Sequence, residues 1–169
     1  MNLLTEPYVS EREKTCCFTG HRAIPSEHLD ILIRALDETI RTLYEKGVTE
    51  FRAGGALGFD TIAALRVLWQ KQQGLDVHLH LLLPCRSQAD RWPPEARLDY
   101  NFILSRADTV YYVSEAYTPS CMHTRNRALV DGSAYCVSYL LQNKGGTAYT
   151  VSYALKNGLS LINLGERFL

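Results

Sequence analysis

Gly54-Gly55-Ala56-Leu57-Gly58-Phe59-Asp60 is a glycine run that closes on an acid. Glycines at a strand-to-helix turn let the backbone approach a ligand, and the N–H groups opening the helix suit an anion such as phosphate. Asp60, in the first helical turn, complements the helix dipole or accepts hydrogen bonds from a ribose hydroxyl. A tight turn with a dipole-favoured acid would need the same residues. The spacing is G-G-x-x-G, which is neither the dinucleotide fingerprint nor a P-loop. A second pair, Gly145-Gly146 before Thr147, also precedes a helical pattern, with Thr147 as an alternative N-cap. Gly20-His21-Arg22 adds a guanidinium able to clamp phosphate and an imidazole able to donate or accept. Arg125-Asn126 supplies a second guanidinium, and Asp131 follows it. Gln88, Trp92 and Tyr117 complete the candidates, the aromatics as stacking walls for a base. His78 and His80 flank Leu79 on one strand, but no third ligand is spaced to join them, so no metal site is expected.

The elements that must position these residues follow from periodicity. Apolar runs at Thr15–Thr19, Glu50–Ala53, Val77–Leu83, Thr109–Val113, Tyr135–Leu141 and Leu159–Leu164 predict six strands. Leu29, Leu32, Ile33, Leu36, Ile40 and Leu43 recur at three- and four-residue steps and define a helix face, with Ser26 as N-cap and Gly47 at the C-terminal cap. The segment from Phe59 to Gln73 is apolar on most faces and predicts a well-buried helix. Further helical patterns end near Arg106, run around His123 to Val130, and run from Gly145 to about Lys156. The alternation predicts an α/β Rossmann-like, doubly wound, mostly parallel sheet with helices on both faces. Residues 1–13 read as a flexible polar arm, and 14–169 as one domain. In such a sheet, ligands bind outside the carboxyl ends of the strands, which is where the candidates cluster.

Composition narrows the partners. Among 169 residues, Lys plus Arg and Asp plus Glu are each 18, so net charge supplies no general attraction to nucleic acid. No apolar run is long enough to span a bilayer, and Met1 to Lys14 lacks the apolar core of a signal peptide. Five cysteines without a C-x-x-C pair fit reduced thiols, and a cytoplasmic location is expected. The ten tyrosines offer material for an interface between copies, which leaves homo-oligomerisation open.

Phe18-Thr19-Gly20-His21-Arg22, the Gly54–Asp60 run, Arg125-Asn126 with Val130-Asp131, and Gly145-Gly146-Thr147 occur in the order found in YpsA-like proteins. The chain resembles that family from about residue 15 to 164. YpsA-like proteins belong to the SLOG superfamily, the Rossmann-like group named after Smf/DprA and Lonely Guy proteins. The resemblance implies a pocket for a nucleotide-derived ligand such as ADP-ribose or NAD, and implies no particular reaction. Lonely Guy enzymes cleave the N-glycosidic bond of nucleoside monophosphates, using an Arg in a motif similar to that around Arg125. They also use a Glu in a P-G-G-x-G-T-x-x-E run. Here Lys144 stands in place of the Pro, and no acid lies between Gly145 and Gly158. An N-glycosidic hydrolase or ribosyl transferase would therefore need Asp60 or Asp131 as its carboxylate, with Arg125 as the third catalytic candidate. DprA-like proteins share the Gly-Gly-Ala-x-Gly-x-Asp run and bind single-stranded DNA, a third reading disfavoured by the charge balance.

Overall fold

The computed structural model describes residues 11–169. Six strands form one sheet: β1 (Thr15–Gly20), β2 (Glu50–Ala53), β3 (His78–Leu83), β4 (Thr109–Tyr112), β5 (Tyr135–Tyr139) and β6 (Ser160–Asn163). Their spatial order is β4-β3-β2-β1-β5-β6, and every neighbouring pair is parallel. The crossovers are α1 (Ser26–Glu45), α2 (Phe59–Gln72), α3 (Pro94–Arg106), α4 (Cys121–Asp131) and α5 (Gly145–Lys156), and a 3-10 turn follows at Leu164–Phe168. The sheet is thus doubly wound and wholly parallel.

Period-two alternation sorts the strand side chains between two cores. Cys16, Phe18, Phe51, Leu79, Leu81, Val137 and Tyr139 join Leu32, Leu36, Ile40, Ala63 and Val67 of α1 and α2 in the larger one. Cys17, Leu82 and Cys136 face the other way, onto Leu129 and Val130 of α4 and Ala154 of α5. All five cysteines are buried free thiols.

Local differences from the sequence reading have physical causes. Pro25, not Ser26, occupies the N-cap of α1, and no side chain caps that end. Proline's fixed φ sets the entry angle and leaves Ser26 as the first helical residue. Leu29 is exposed, while Ala35 and Thr39 complete the buried face. Gly47 does close α1, at φ +97°. Helix α2 is not enclosed, because Trp69 is 43% exposed. The expected arm falls mainly on residues 1–10, outside the described residues. Residues 11–13 are helical, and the Lys14 N–H and Thr15 hydroxyl both donate to the Glu11 carbonyl.

Candidate functional site

The direction in which successive strands are added reverses between β1 and β5. From β1 the chain steps through β2 and β3 to β4, then returns to the other side of β1 as β5. The loops leaving β1 and β5 therefore diverge onto opposite faces and open a crevice at their carboxyl ends. A cleft of about 340 Å³ occupies that position. Its walls are Thr19–Arg22 at the end of β1, Lys144–Thr147 opening α5, and Met122, Arg125 and Asn126 of α4, with Ala56 of the β2–α2 turn and Asp60 of the first turn of α2.

His21 is fixed by three hydrogen bonds. Its backbone N–H donates to the Tyr139 carbonyl, and its carbonyl accepts from Phe59 N–H at 3.1 Å. Ring Nε2 lies 2.8 Å from the Leu141 backbone N–H. That amide can only donate, so Nε2 must accept and the neutral ring carries its proton on Nδ1. Burial also holds the imidazole below its usual value of 6.5.

Arg125 is buried at the base of the cleft. Nε donates to Asn126 Oδ1 at 2.7 Å, Nη1 donates to the Gly54 carbonyl, and Nη2 lies 3.7 Å from Met122 Sδ. Asp60, 6% exposed, accepts from Ala56 N–H at 3.2 Å. Burial pushes its carboxyl up, while Arg125, the Ala56 N–H and Arg22 pull it back. Desolvation lowers the Arg125 pKa and Asp60 opposes the shift, so the two charges support one another.

The two glycine clusters have different surroundings. A Cβ on Gly54 would lie 2.7 Å from Arg125 Nη1 and 3.0 Å from Asp60 Oδ2. At Gly58, with φ +76°, a Cβ would lie 2.1 Å from the Arg22 carbonyl oxygen. Gly55 is closed off by Leu83, and its carbonyl accepts from Gln88 Nε2 at 3.2 Å. The first cluster thus admits the protein's own atoms. A Cβ at Gly145 or Gly146 would meet nothing within 4 Å, so the second cluster is an open helix N-terminus at the cleft.

The structure brings Gly20, His21, Arg22, Asp60, Arg125, Asn126, Gly145, Gly146 and Thr147 together around the cleft. Gly54, Gly55, Gly58 and Gln88 lie behind it in the β2–α2 turn and its support. Trp92 packs edge-on against Tyr100, with centroids 5.2 Å apart. Tyr117 is 65% exposed on the loop after β4 and does not line the cleft. Asp131 accepts from the Tyr153 hydroxyl at 2.8 Å, at the opposite end of α4 from Cys121. Among the described residues, Asp60 is the carboxylate lining the cleft. Sequence reasoning missed Lys144, Met122 and the apolar floor of Phe18 and Leu129. Lys144 directly precedes the glycine pair, and Met122 stands one helical turn before Arg125, which are the signals that could have found them. His78 and His80 both bond Glu50, at 3.0 Å each. No group of three or more potential metal ligands, and no helix long and apolar enough to cross a membrane, is present among the described residues.

A wholly parallel, doubly wound sheet with its cleft at the switch point defines a Rossmann-like α/β class. Residues 16–160 match the family model described as the YspA SLOG family, and the chain belongs to that YpsA family. The chain is 31% identical over 102 residues to UPF0398 protein BH1768 of Halalkalibacterium halodurans. That match covers 59% of this chain and 54% of the relative's length. Among solved structures, DNA processing protein A (DprA) from Streptococcus pneumoniae is similar with a TM-score of 0.61 at 15% identity. The likeness covers 87% of this chain and 48% of that one. DprA from Helicobacter pylori, described for its single-stranded DNA binding mode, gives 0.64 at 18% identity, covering 92% of this chain and 66% of that one. At these identities the two DprA structures speak for the fold.

Proposed function

We propose that the cleft binds a nucleotide-derived anion of the ADP-ribose or NAD kind. The observation that carries this reading is the cleft's charge. Arg22, Arg125 and Lys144 line it together with an open helix N-terminus, against one buried carboxylate. Such a site favours phosphate, because amides and cations converge where water is partly excluded. The protein's own atoms crowd the Gly54–Gly58 turn, which leaves Gly145–Thr147 as the phosphate seat. Asp60 is the acceptor for a ribose hydroxyl. Met122 and Leu129, rather than Trp92 or Tyr117, provide the apolar wall. A cleft of about 340 Å³ is within the range of small-molecule sites and suits a nucleotide better than a strand.

An N-glycosidic reaction is the second reading, and it now rests on Asp60 alone as carboxylate. Binding of single-stranded DNA is the third, suggested by what the Helicobacter pylori relative is described as doing.

One thermal-denaturation series separates them. ADP-ribose, NAD, AMP and a twenty-residue oligothymidylate are each added to the full chain. A ligand at 100 times its Kd adds about 2.7 kcal/mol, a rise of roughly 5–10 °C for a chain of this size. The expected result is a rise with at least one phosphorylated nucleotide that disappears in Gly146→Asp, which places an acid on the helix N-terminus. No shift with any nucleotide overturns the proposal. A shift with the oligonucleotide alone moves the assignment to single-stranded DNA, and release of free base that Asp60→Asn abolishes moves it to the enzyme.

A further inference from the structure

One residue at the end of β1 ties three parts of the cleft together. The His21 N–H donates to the Tyr139 carbonyl, which carries the β1–β5 ladder one step past the strand. Its carbonyl accepts from the N–H of Phe59, directly before Asp60 at the start of α2. Its Nε2 accepts from the Leu141 N–H at 2.8 Å, three residues before Lys144. Backbone and ring thus join Arg22, next in sequence, to the wall that holds Asp60 and to the wall that holds Lys144 and Gly145–Thr147. The segment between β5 and α5 has few other ties. Leu140 is held from β6, where its N–H donates to Asn163 Oδ1 at 3.0 Å and its carbonyl accepts from Asn163 Nδ2 at 3.1 Å. Leu141 packs against the larger core. Beyond it, Gln142, Asn143 and Lys144 are exposed, and the Lys144 N–H donates only within the segment, to the Gln142 carbonyl at 2.8 Å. The Leu141 amide is therefore the last fixed point before the phosphate seat.

A ring nitrogen accepts only while it is unprotonated. Imidazolium carries N–H at both positions, so a proton on His21 would set two donors against each other where the Leu141 bond now stands. The groups around the ring oppose that proton. Arg22 beside it, Arg125 of α4 and Lys144 before α5 share the cleft with it, against the carboxylate of Asp60 from α2. From β5 the Tyr139 ring meets it edge-on at 5.8 Å, and the Tyr139 hydroxyl is bound to His28 Nδ1 of α1 at 2.7 Å.

We infer that His21 is a positioning residue for the phosphate seat, and that the cleft binds its anion with this ring neutral. The inference rests on the reading of the cleft as an anion site. Its consequence runs against simple electrostatics. A proton added to a ring that lines an anion site should tighten binding as pH falls. Here water reaches the ring, which is half-buried, so that attraction is screened. The same proton removes the bond that sets Lys144 and the N-terminus of α5 opposite Arg22. Binding should therefore weaken as His21 titrates.

The test reads the clasp and the seat separately, on the full chain. An NMR scalar coupling across the N–H···N bond, between the Leu141 amide nitrogen and His21 Nε2, reports the clasp with no ligand present. It should be measurable at about pH 7.5 and fade toward about pH 5. Calorimetric titration with ADP-ribose, whose pyrophosphate stays ionised over that range, reports the seat. Affinity should fall roughly fivefold from the higher pH to the lower, the weight of one net hydrogen bond. His21→Phe should bind weakly at both. His21→Gln, whose Oε1 can accept from Leu141 and takes up no proton, should recover most of that loss and give a flatter pH profile. Any slope it keeps belongs to Asp60 and the other groups of the cleft. The comparison of the unaltered chain with His21→Gln stands even if His21→Phe misfolds. Absence of the coupling at the higher pH overturns the inference. So does an affinity that rises as pH falls, or a His21→Gln profile as steep as that of the unaltered chain. Failure of ADP-ribose to bind while the coupling is intact overturns the anion-site reading instead, and the seat with it.

Discussion

His21 shows how a single proton can be located from its neighbours. The Leu141 amide requires an acceptor at Nε2, so protonation of the ring would break that bond. His78 has the opposite setting: its Nδ1 lies 3.0 Å from Glu50, whose hydrogen bond raises the histidine pKa. The two rings therefore pull stability in opposite directions as pH changes. The His21 contribution is full above 6.5 and is lost as pH falls through that value toward the lowered folded pKa. The His78 contribution is full below 6.5 and is lost as pH rises through its raised folded pKa. Ring-resolved NMR titration should place His21 below 6.5 and His78 above it. The reverse order would refute both the tautomer and the ion pair. At this scale the sequence revealed residues whose chemical type is informative wherever they sit, such as Arg22 after β1, Asp60 in the first turn of α2 and Arg125 in α4. It did not reveal side-chain direction. Trp92 turns toward Tyr100, eight residues on, and Asp131 toward Tyr153, twenty-two residues on, each in the next helix. Lys144 and Met122 were marked only by their neighbours, the glycine pair and Arg125, since by type each is an ordinary loop charge or apolar helix position.

Between elements, the β2–α2 turn and the start of α5 are two glycine clusters beside the site, and they should respond differently to the same substitution. Gly58→Ala drives a methyl to 2.1 Å from the Arg22 carbonyl at a positive φ, so backbone must move. Gly145→Ala also meets a positive φ, +86°, but has open space around it. Urea denaturation should show a loss of about 1–2 kcal/mol for Gly145→Ala, the cost of the left-handed conformation alone, and a larger loss for Gly58→Ala. Equal losses would mean that the β1–α1 loop does not brace the turn. Strands and helices were readable because burial imposes periods of two and of three to four residues. Their ends were less so: β5 stops at Tyr139, where a longer apolar run continues to Leu141. Neither is the uncovered side of α2 visible in its pattern, since a helix apolar all round reads the same whether or not a neighbour covers it.

For the molecule as a whole, zero formal net charge conceals an uneven distribution. Arg22, Arg125 and Lys144 gather at the cleft at the switch point, so anion affinity should be local and screened by salt rather than driven by a general field. Raising ionic strength from about 50 to 500 mM, over which the Debye length shrinks severalfold, should weaken binding of a phosphorylated ligand; affinity that ignores salt would deny the cations a role. The fold class was legible because parallel sheets require alternating strand and helix patterns. The order of strands was not, because no local period records which strand returns beside β1.

That return also dictates when the protein can be completed during synthesis. Thr19 pairs with Ser138, so β1 must wait for most of the chain to be made before its second edge is covered. Until then a nascent β1–β4 half presents an open strand edge, the kind of surface on which chains associate. Both walls of the cleft come together only with the last crossover. A chain stalled before Lys144 would lack the α5 wall of the cleft and leave β5 as an open edge, so the interval before β6 is made is the vulnerable one for this fold.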